Sequence, residues 1–393
     1  MHFTTAGESH GPALTALVSG CPAGVHIDVS SINADLARRQ GGYGRGGRQA
    51  IEHDTVEVLS GVRFSRTLGT PITLAISNAD HANWTDRMSP VGEPPADLER
   101  ETHPRPGHAD LAGMLKIGTD DARDVLERSS ARETAARVAA GGVAKALLAH
   151  VGVEVHAFVR RIGQVAMGEE EWAASVASDS ASSAPAHPDV VQSSSCYCPD
   201  AACTREMETA IDAAREGGFS LGGEFTVVAT GLMAGLGGYA SGPERLTSRL
   251  GGALFSIPAI KGVEFGMGFA AAARGGHEVH DPILYDDEHG YHRSTNNAGG
   301  LEGGMTTGEP FVVSAAMKPI PTMMRPLATV DTDTHEPALA SRERSDVCAV
   351  PAASVVAEAE VAMVLADAYC AKFGSDDLDD MLAALDSYAG RIS

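Results

Sequence analysis

Lysine is nearly missing from this sequence. Five lysines, Lys116, Lys145, Lys261, Lys318 and Lys372, stand in 393 residues, so almost all positive charge is arginine. Arginine offers a planar fork that holds phosphate or carboxylate through two hydrogen bonds. Positive charge is scarce overall: 30 Lys plus Arg face 52 Asp plus Glu, a formal net charge of -22. Such a field repels nucleic-acid phosphates and anionic membrane surfaces, which argues against either as a partner. Long apolar runs are also absent, none approaching the ~18 to 20 residues that cross a bilayer. The N-terminal "MHFTTAGESHG" lacks a basic region followed by an apolar one, so a cytoplasmic protein is expected. Six cysteines, Cys21, Cys196, Cys198, Cys203, Cys348 and Cys370, make no disulfide framework. Three of them cluster in "CYCPDAAC" without a clear fourth ligand, so we expect reduced surface thiols there and no metal.

What is present reads as one large globular unit. Hydrophobic residues make up 43% and charged residues 21%, and the length allows a sizeable core. "SSINADLARRQGG" predicts a short helix capped at Ser30 or Ser31 and stopped at Gly41. "SSARETAARVAAGGVAKALLAH" predicts a long helix, apolar on almost every side and therefore buried. A last long helix opens at Pro351 and ends before Gly374. Strand patterns at "TVEVLSGV", "PITLAIS", "GVEVHAFV", "GEFTVVATGLM" and "FVVSAAMKPI" interleave with these and with helices at "REMETAIDAAREGG" and "RLTSRLGGALFSI". The expectation is an α+β fold over residues 1–393, with a Ser/Ala-rich surface excursion at about 163–203.

Three places offer chemistry. "GGYGRGGRQA" satisfies G-x-G-x-x-G, yet a helix precedes it and a strand follows, the reverse of a dinucleotide-binding loop. Its glycines can instead stop the helix, with Arg38 and Arg39 set against the helix dipole. Arg45 and Arg48 lie beyond the last turn, where glycine flexibility lets them converge with Arg39 on an anion. In "LERSSARET", Ser130 and Glu133 match a capping box, and the same helix start presents N–H groups to a phosphate beside Arg128, Ser129 and Arg132. Two histidines sit among glycines, His10 in "GESHG" and His108 in "RPGHAD" after Arg105. The first stretch is not a G-x-S-x-G elbow, so Ser9 is not read as a nucleophile. "ERSDVCAVPAA" adds Arg344 and Asp346 ahead of the last helix, and no G-x-x-x-x-G-K-[ST] loop occurs.

Taken in order, "TAGESHGPALTALVSGCPAG", "RRQGGYGRGGRQAIEHDTVEVLSGVRF", "HPRPGHADLAGMLK", "LERSSARETAARVAAGGVAKALL", "GGLEGGMTTGEP", "MKPIPT" and "ERSDVCAVPAA" resemble the chorismate synthase family. The resemblance implies a β-α-β sandwich, a homotetramer and bound reduced FMN. It implies anti-1,4-elimination of the 3-phosphate and a C6 hydrogen from 5-enolpyruvylshikimate-3-phosphate, giving chorismate, the last common step of aromatic amino-acid biosynthesis. Ser9, Arg39, Arg45, Arg48, Arg105 and Arg132 are then implied to bind substrate. Arg128, Ser129, Ser130, Pro258, Ala259, Gly303, Lys318, Pro319, Ile320, Pro321, Thr322 and Arg344 are implied to contact flavin. His10 resembles the acid that protonates departing phosphate, His108 the histidine that protonates reduced flavin, and Asp346 the carboxylate that works with flavin N5 on the C6 proton. No reductase domain is recognisable, which leaves NADPH used by the chain itself or an external flavin reductase as the source of reduced flavin. Ile117, Thr119 and Ser354 depart from the family pattern. A flavin-free phosphatase with His10 as nucleophile, and a phosphate-sensing binding protein, are the competing readings.

Overall fold

The computed structural model describes residues 1–47, 53–177, 188–287, 290–342 and 346–392. A first antiparallel sheet contains β1 (His2–Ala6), β2 (Ala13–Ser19), β3 (Glu57–Val58) and β4 (Ile72–Ser77) in the order β1-β2-β4-β3. In β4 the alternation is strict: Ile72, Leu74 and Ile76 are buried and their neighbours are not, so one face looks inward. A second antiparallel sheet holds β5 (Glu154–Ile162), β6 (Val165–Ala166), β7 (Gly223–Thr230), β8 (Ile260–Phe265) and β9 (Phe311–Met317), ordered β8-β9-β7-β5-β6. Its central strands β7 and β9 are continuous buried runs, covered on both faces.

The helices are α1 (Val29–Gln40), α2 (Asp110–Ile117), α3 (Arg123–Ser129), α4 (Thr134–His150), α5 (Ala201–Gly217), α6 (Leu246–Phe255), α7 (Val350–Phe373) and α8 (Leu378–Ile392). Helices α4 and α7 fill the space between the sheets, and the other helices lie about them. Helix α4 packs on β2 and β4, α7 packs on β5 and β7, and the two pack on each other. The result is a sheet, a helical layer and a sheet: a β-α-β sandwich. Small residues make the helical layer close. A Cβ on Gly141 would stand 2.2 Å from the Cβ of Ala359, so only glycine lets α4 approach α7 this nearly. Ser354 fits the same layer because its hydroxyl donates to Pro351 O at 2.7 Å.

Several local expectations are corrected. Helix α1 is capped by Asp28, whose carboxylate accepts from Ser30 N at 2.9 Å and from both serine hydroxyls. Ser130 caps a 3-10 turn at Ala131–Glu133 rather than α4 itself, and no capping box forms. Glu133 is drawn elsewhere, accepting from Thr5 Oγ1 at 2.6 Å and Arg137 Nε at 2.9 Å. The cysteines are not surface thiols: all six are buried, and burial pushes Cys21 and Cys348 up to about 12. Nor is the Ser-rich segment wholly peripheral. Its middle, 178–187, lies outside the described residues, but Cys196 and Cys198 are core, and Tyr197 donates its hydroxyl to Arg38 O at 2.7 Å.

Candidate active site

At one end of the helical layer lies a cavity of about 700 Å³. The 3-10 turn that leads into α4 and the first turns of α7 line it. The glycine loop after α1 forms one wall. Gly42 and Gly44 have φ of +95° and +91°, and a Cβ on Gly42 would lie 2.8 Å from Pro351. Those glycines let the loop press on the start of α7, where Val347 N donates to Gly44 O at 2.7 Å. Arg45 is thereby placed 2.9 Å from Asp346, and Gly46 N donates to the same carboxylate at 2.7 Å.

Arg39, Arg45 and Arg132 crowd this wall. Burial pushes Arg39 down to about 10, the neighbouring arginines add to that, and Asp54 only partly offsets it. Asp54 also pairs with Arg132 at 2.5 Å, while Asn78 accepts from Arg132 Nε at 2.8 Å. The Nε–H groups of Arg39 and Arg45 are buried with no partner among the described residues. Buried donors of that kind call for an acceptor, and an anionic ligand supplies one.

Both histidines line the cavity, each backed by a buried carboxylate. His10 Nδ1 lies 2.8 Å from Glu127, and its ring stacks on Trp84 at 4.1 Å between centroids. His108 Nδ1 lies 2.5 Å from Asp110. Asp110 also accepts from Arg105 Nε at 2.8 Å, and Arg105 reaches Thr322 Oγ1 at 3.1 Å. Burial would raise the Asp110 carboxyl, but His108 and Arg105 outweigh it and hold the group well below the usual carboxylate range. Arg105 is therefore a tie between the His108 loop and the stretch after β9, with its fork already engaged.

Ser9, Arg128, Ser129, Ser130, Pro258, Ala259, Lys318, Ile320, Pro321 and Thr322 also line the cavity. Lys318 Nζ donates to Gly107 O, which joins that stretch to the His108 loop. Arg128 donates to Thr5 O at 3.0 Å and Gly7 O at 3.2 Å. Of the other implied contacts, Pro319 is not part of the lining although Lys318 and Ile320 on either side of it are, and Gly303 sits at φ +59° in the hairpin between Leu301–Glu302 and Met305–Thr306. Arg48 and Arg344 lie outside the described residues. The sequence reading missed Glu127 and Asp54. Their cavity partners His10 and Arg132 stand 117 and 78 residues away, so no local spacing links them to these carboxylates.

A cavity lined with arginines and two carboxylate-backed histidines defines the class: an enzyme acting on a small anionic substrate. Comparison with known proteins makes this specific. The family model described as chorismate synthase matches residues 1–370. A chorismate synthase from Rubrobacter xylanophilus is 53% identical over 99% of this chain and 97% of its own length. One from Oceanobacillus iheyensis is 50% identical over 100% of this chain and 99% of its own. A crystal structure of chorismate synthase superposes with a TM-score of 0.80 at 39% identity, covering 100% of this chain and 98% of that one. The chain belongs to the chorismate synthase family. Among the described residues no helix is long and apolar enough to cross a membrane.

Proposed function

We propose that this cavity converts 5-enolpyruvylshikimate-3-phosphate to chorismate by anti-1,4-elimination, with reduced FMN as cofactor. One observation carries the reading: among the described residues, eight Arg and Lys side chains line the cavity against Glu133 and Asp346 alone, in a chain of net charge -22. The substrate's phosphate and two carboxylates suit the unpartnered donors of Arg39 and Arg45, with Ser9 and Arg132 beside them. Flavin suits other lining residues. Ile257, Pro258, Ala259, Ile320 and Pro321 offer an apolar face to a planar ring, and Arg128, Ser129, Ser130 and Lys318 offer polar groups. When bound, reduced FMN supplies electron density transiently to the allylic phosphate ester, with no net redox change.

The chain's own groups bind, orient and move protons. His10 gives a proton to the departing phosphate oxygen as the C3–O bond breaks. Asp346, held by Arg45 and by the N–H of Gly46, takes the C6 proton in this reading. His108 holds a proton on the flavin side, where Arg105 links Asp110 to Thr322. A cytoplasmic homotetramer accords with this reading, and the exposed Phe269, Tyr285 and Tyr291 supply apolar surface for contact between copies. The deciding assay is anaerobic. Chorismate should form with dithionite-reduced FMN and not with oxidised FMN, and an arm with NADPH and oxidised FMN tells self-reduction from an external reductase. Equal turnover with both flavin states would replace the proposal by a flavin-free phosphatase.

A further inference from the structure

Glu127 grips His10 twice. One carboxylate oxygen lies 2.8 Å from His10 Nδ1, and the other accepts from the His10 backbone N–H at 2.8 Å. The carboxylate is itself fixed: it sits at the end of α3, 4% exposed, with Arg123 Nη1 donating to it at 3.3 Å. Burial would raise this carboxyl, yet the ring and backbone N–H of His10 outweigh it and keep Glu127 below its ordinary range, hence ionised. An ionised carboxylate only accepts, so Nδ1 of His10 carries the proton. The other ring nitrogen, Nε2, lies 3.9 Å from Asp80 Oδ2, beyond hydrogen-bond reach. The ring is also held on one face. Trp84 stacks on one face at 4.1 Å with 29° between planes, and the Arg123 guanidinium lies 5.1 Å from the Trp84 ring. Glu127 is absent from the cavity lining while His10 is part of it, so the carboxylate works from behind.

We propose that Glu127 is a positioning residue for the elimination: it locks the proton on His10 Nδ1 and reserves Nε2 for the phosphate oxygen that leaves. This rests on His10 being the acid. As the C3–O bond breaks, its electron pair goes to phosphate, Nε2 gives up its proton to that oxygen, and the ring is left neutral with Nδ1–H still held by Glu127. The C6–H pair becomes a C6–C1 double bond, the C1–C2 double-bond pair moves to C2–C3 to replace the pair that left with phosphate, and the C6 proton goes to the base. Glutamine at 127 keeps the shape but not the function. Its oxygen still accepts from the backbone N–H, but its NH₂ then faces Nδ1 as a donor and drives the ring proton to Nε2. Neutral imidazole with the proton on Nε2 is a far weaker acid than imidazolium.

The test uses the full-length enzyme with reduced FMN under anaerobic conditions. In Glu127→Gln, kcat should fall about a hundredfold, the low end of what a positioned acid contributes, while KM and FMN affinity stay within about threefold. Glu127→Asp should recover about tenfold of that loss, because it restores an acceptor-only group. The double variant His10→Ala with Glu127→Gln should be no slower than His10→Ala alone, since residues acting as a unit are not additive. Nitrogen-15 NMR of histidine-labelled wild type should show His10 protonated at Nδ1, a readout that stands even where Glu127→Gln does not fold. Wild-type His10 with its proton on Nε2 alone, unchanged kcat in Glu127→Gln, or multiplicative losses in the double variant would each overturn the proposal. If His10→Ala loses turnover while Glu127→Gln does not, only the role of Glu127 falls. If His10→Ala turns over at the wild-type rate, the acid role beneath it falls too.

Discussion

Arg45 and Asp346 form an ion pair, and that pair links the two chemical demands on the cavity. The arginine must meet a substrate anion, and the carboxylate must be held where a proton is removed. A fork with five N–H donors can serve both: one Nη bonds Asp346 at 2.9 Å, while the buried Nε–H has no partner among the described residues. Replacing Arg45 by Ala removes a charge-assisted contact worth roughly 1.5 to 3 kcal/mol, so the substrate dissociation constant should rise about ten- to a hundredfold. Arg45→Lys should recover only part of this, because lysine keeps the charge without the fork. FMN affinity measured without substrate should stay near wild type, since Ser129, Ser130 and Lys318 lie on other walls. Calorimetric titration with each ligand checks both statements, and unchanged substrate affinity would reduce Arg45 to a tether for Asp346.

On the scale of elements, α7 carries two buried carboxylates, two residues apart, with opposite fates. Glu358 accepts from Arg38 on α1, Lys145 on α4 and the backbone N–H of Ala157 on β5, so one carboxylate ties four elements together. Burial would raise it, but Lys145 and Arg38 outweigh burial and bring it down to about 2. Among the described residues Glu360 pairs with Arg137, at 2.8 Å, and burial wins there, pushing it above its ordinary value. Glu358→Gln leaves two part-buried cations, Arg38 and Lys145, to share the single carboxylate of Asp35, and removes the tie to β5, so it should cost about 3 kcal/mol of unfolding free energy. Glu360→Gln should cost within about 1 kcal/mol, because Arg137 keeps Glu133 at 2.9 Å. The pH dependence follows from the depressed carboxyl of Glu358. Its contribution is complete above the unfolded value near pH 4.5 and is lost as pH falls toward 2, so the gap to Glu358→Gln should be flat from pH 7 to 5 and close below that. Urea melts at several pH values check this, and equal losses in the two variants would contradict it. This network is the part of the fold that the sequence conceals. The long helices are legible from their stops and small-residue faces, as Gly374 and the Gly141–Gly142 pair show. The short α2 and α3 escape detection because neither has a side-chain cap, and their α-carbons serve mainly to place Asp110 and Glu127 behind the histidines. His10 and His108 stand out among glycines, and Asp110 stands two residues from His108, whereas Glu127 becomes a neighbour of His10 only when segments 117 residues apart pack.

For the whole molecule, charge is sorted by place. The cavity is strongly cationic, so the acidity behind a net charge of -22 lies on the rest of the protein. An anionic substrate therefore meets repulsion far away and attraction near by, and ionic strength decides how far each reaches. At about 0.01 M salt the Debye length is about 30 Å, so carboxylates over the whole surface act on the approaching substrate. Near 0.1 M it is about 10 Å, which screens the distant carboxylates and leaves the arginines at the cavity mouth in range. At about 1 M it is about 3 Å, and the attraction is screened as well. The expected profile of kcat/KM for substrate is thus a rise from about 0.01 to 0.1 M salt followed by a fall toward 1 M. Steady-state assays with saturating reduced FMN and an inert salt measure it directly. A protein whose cationic cavity dominated at every distance would show kcat/KM falling from the lowest salt onward. That outcome would mean the negative surface is too far from the entrance to act on the substrate's approach.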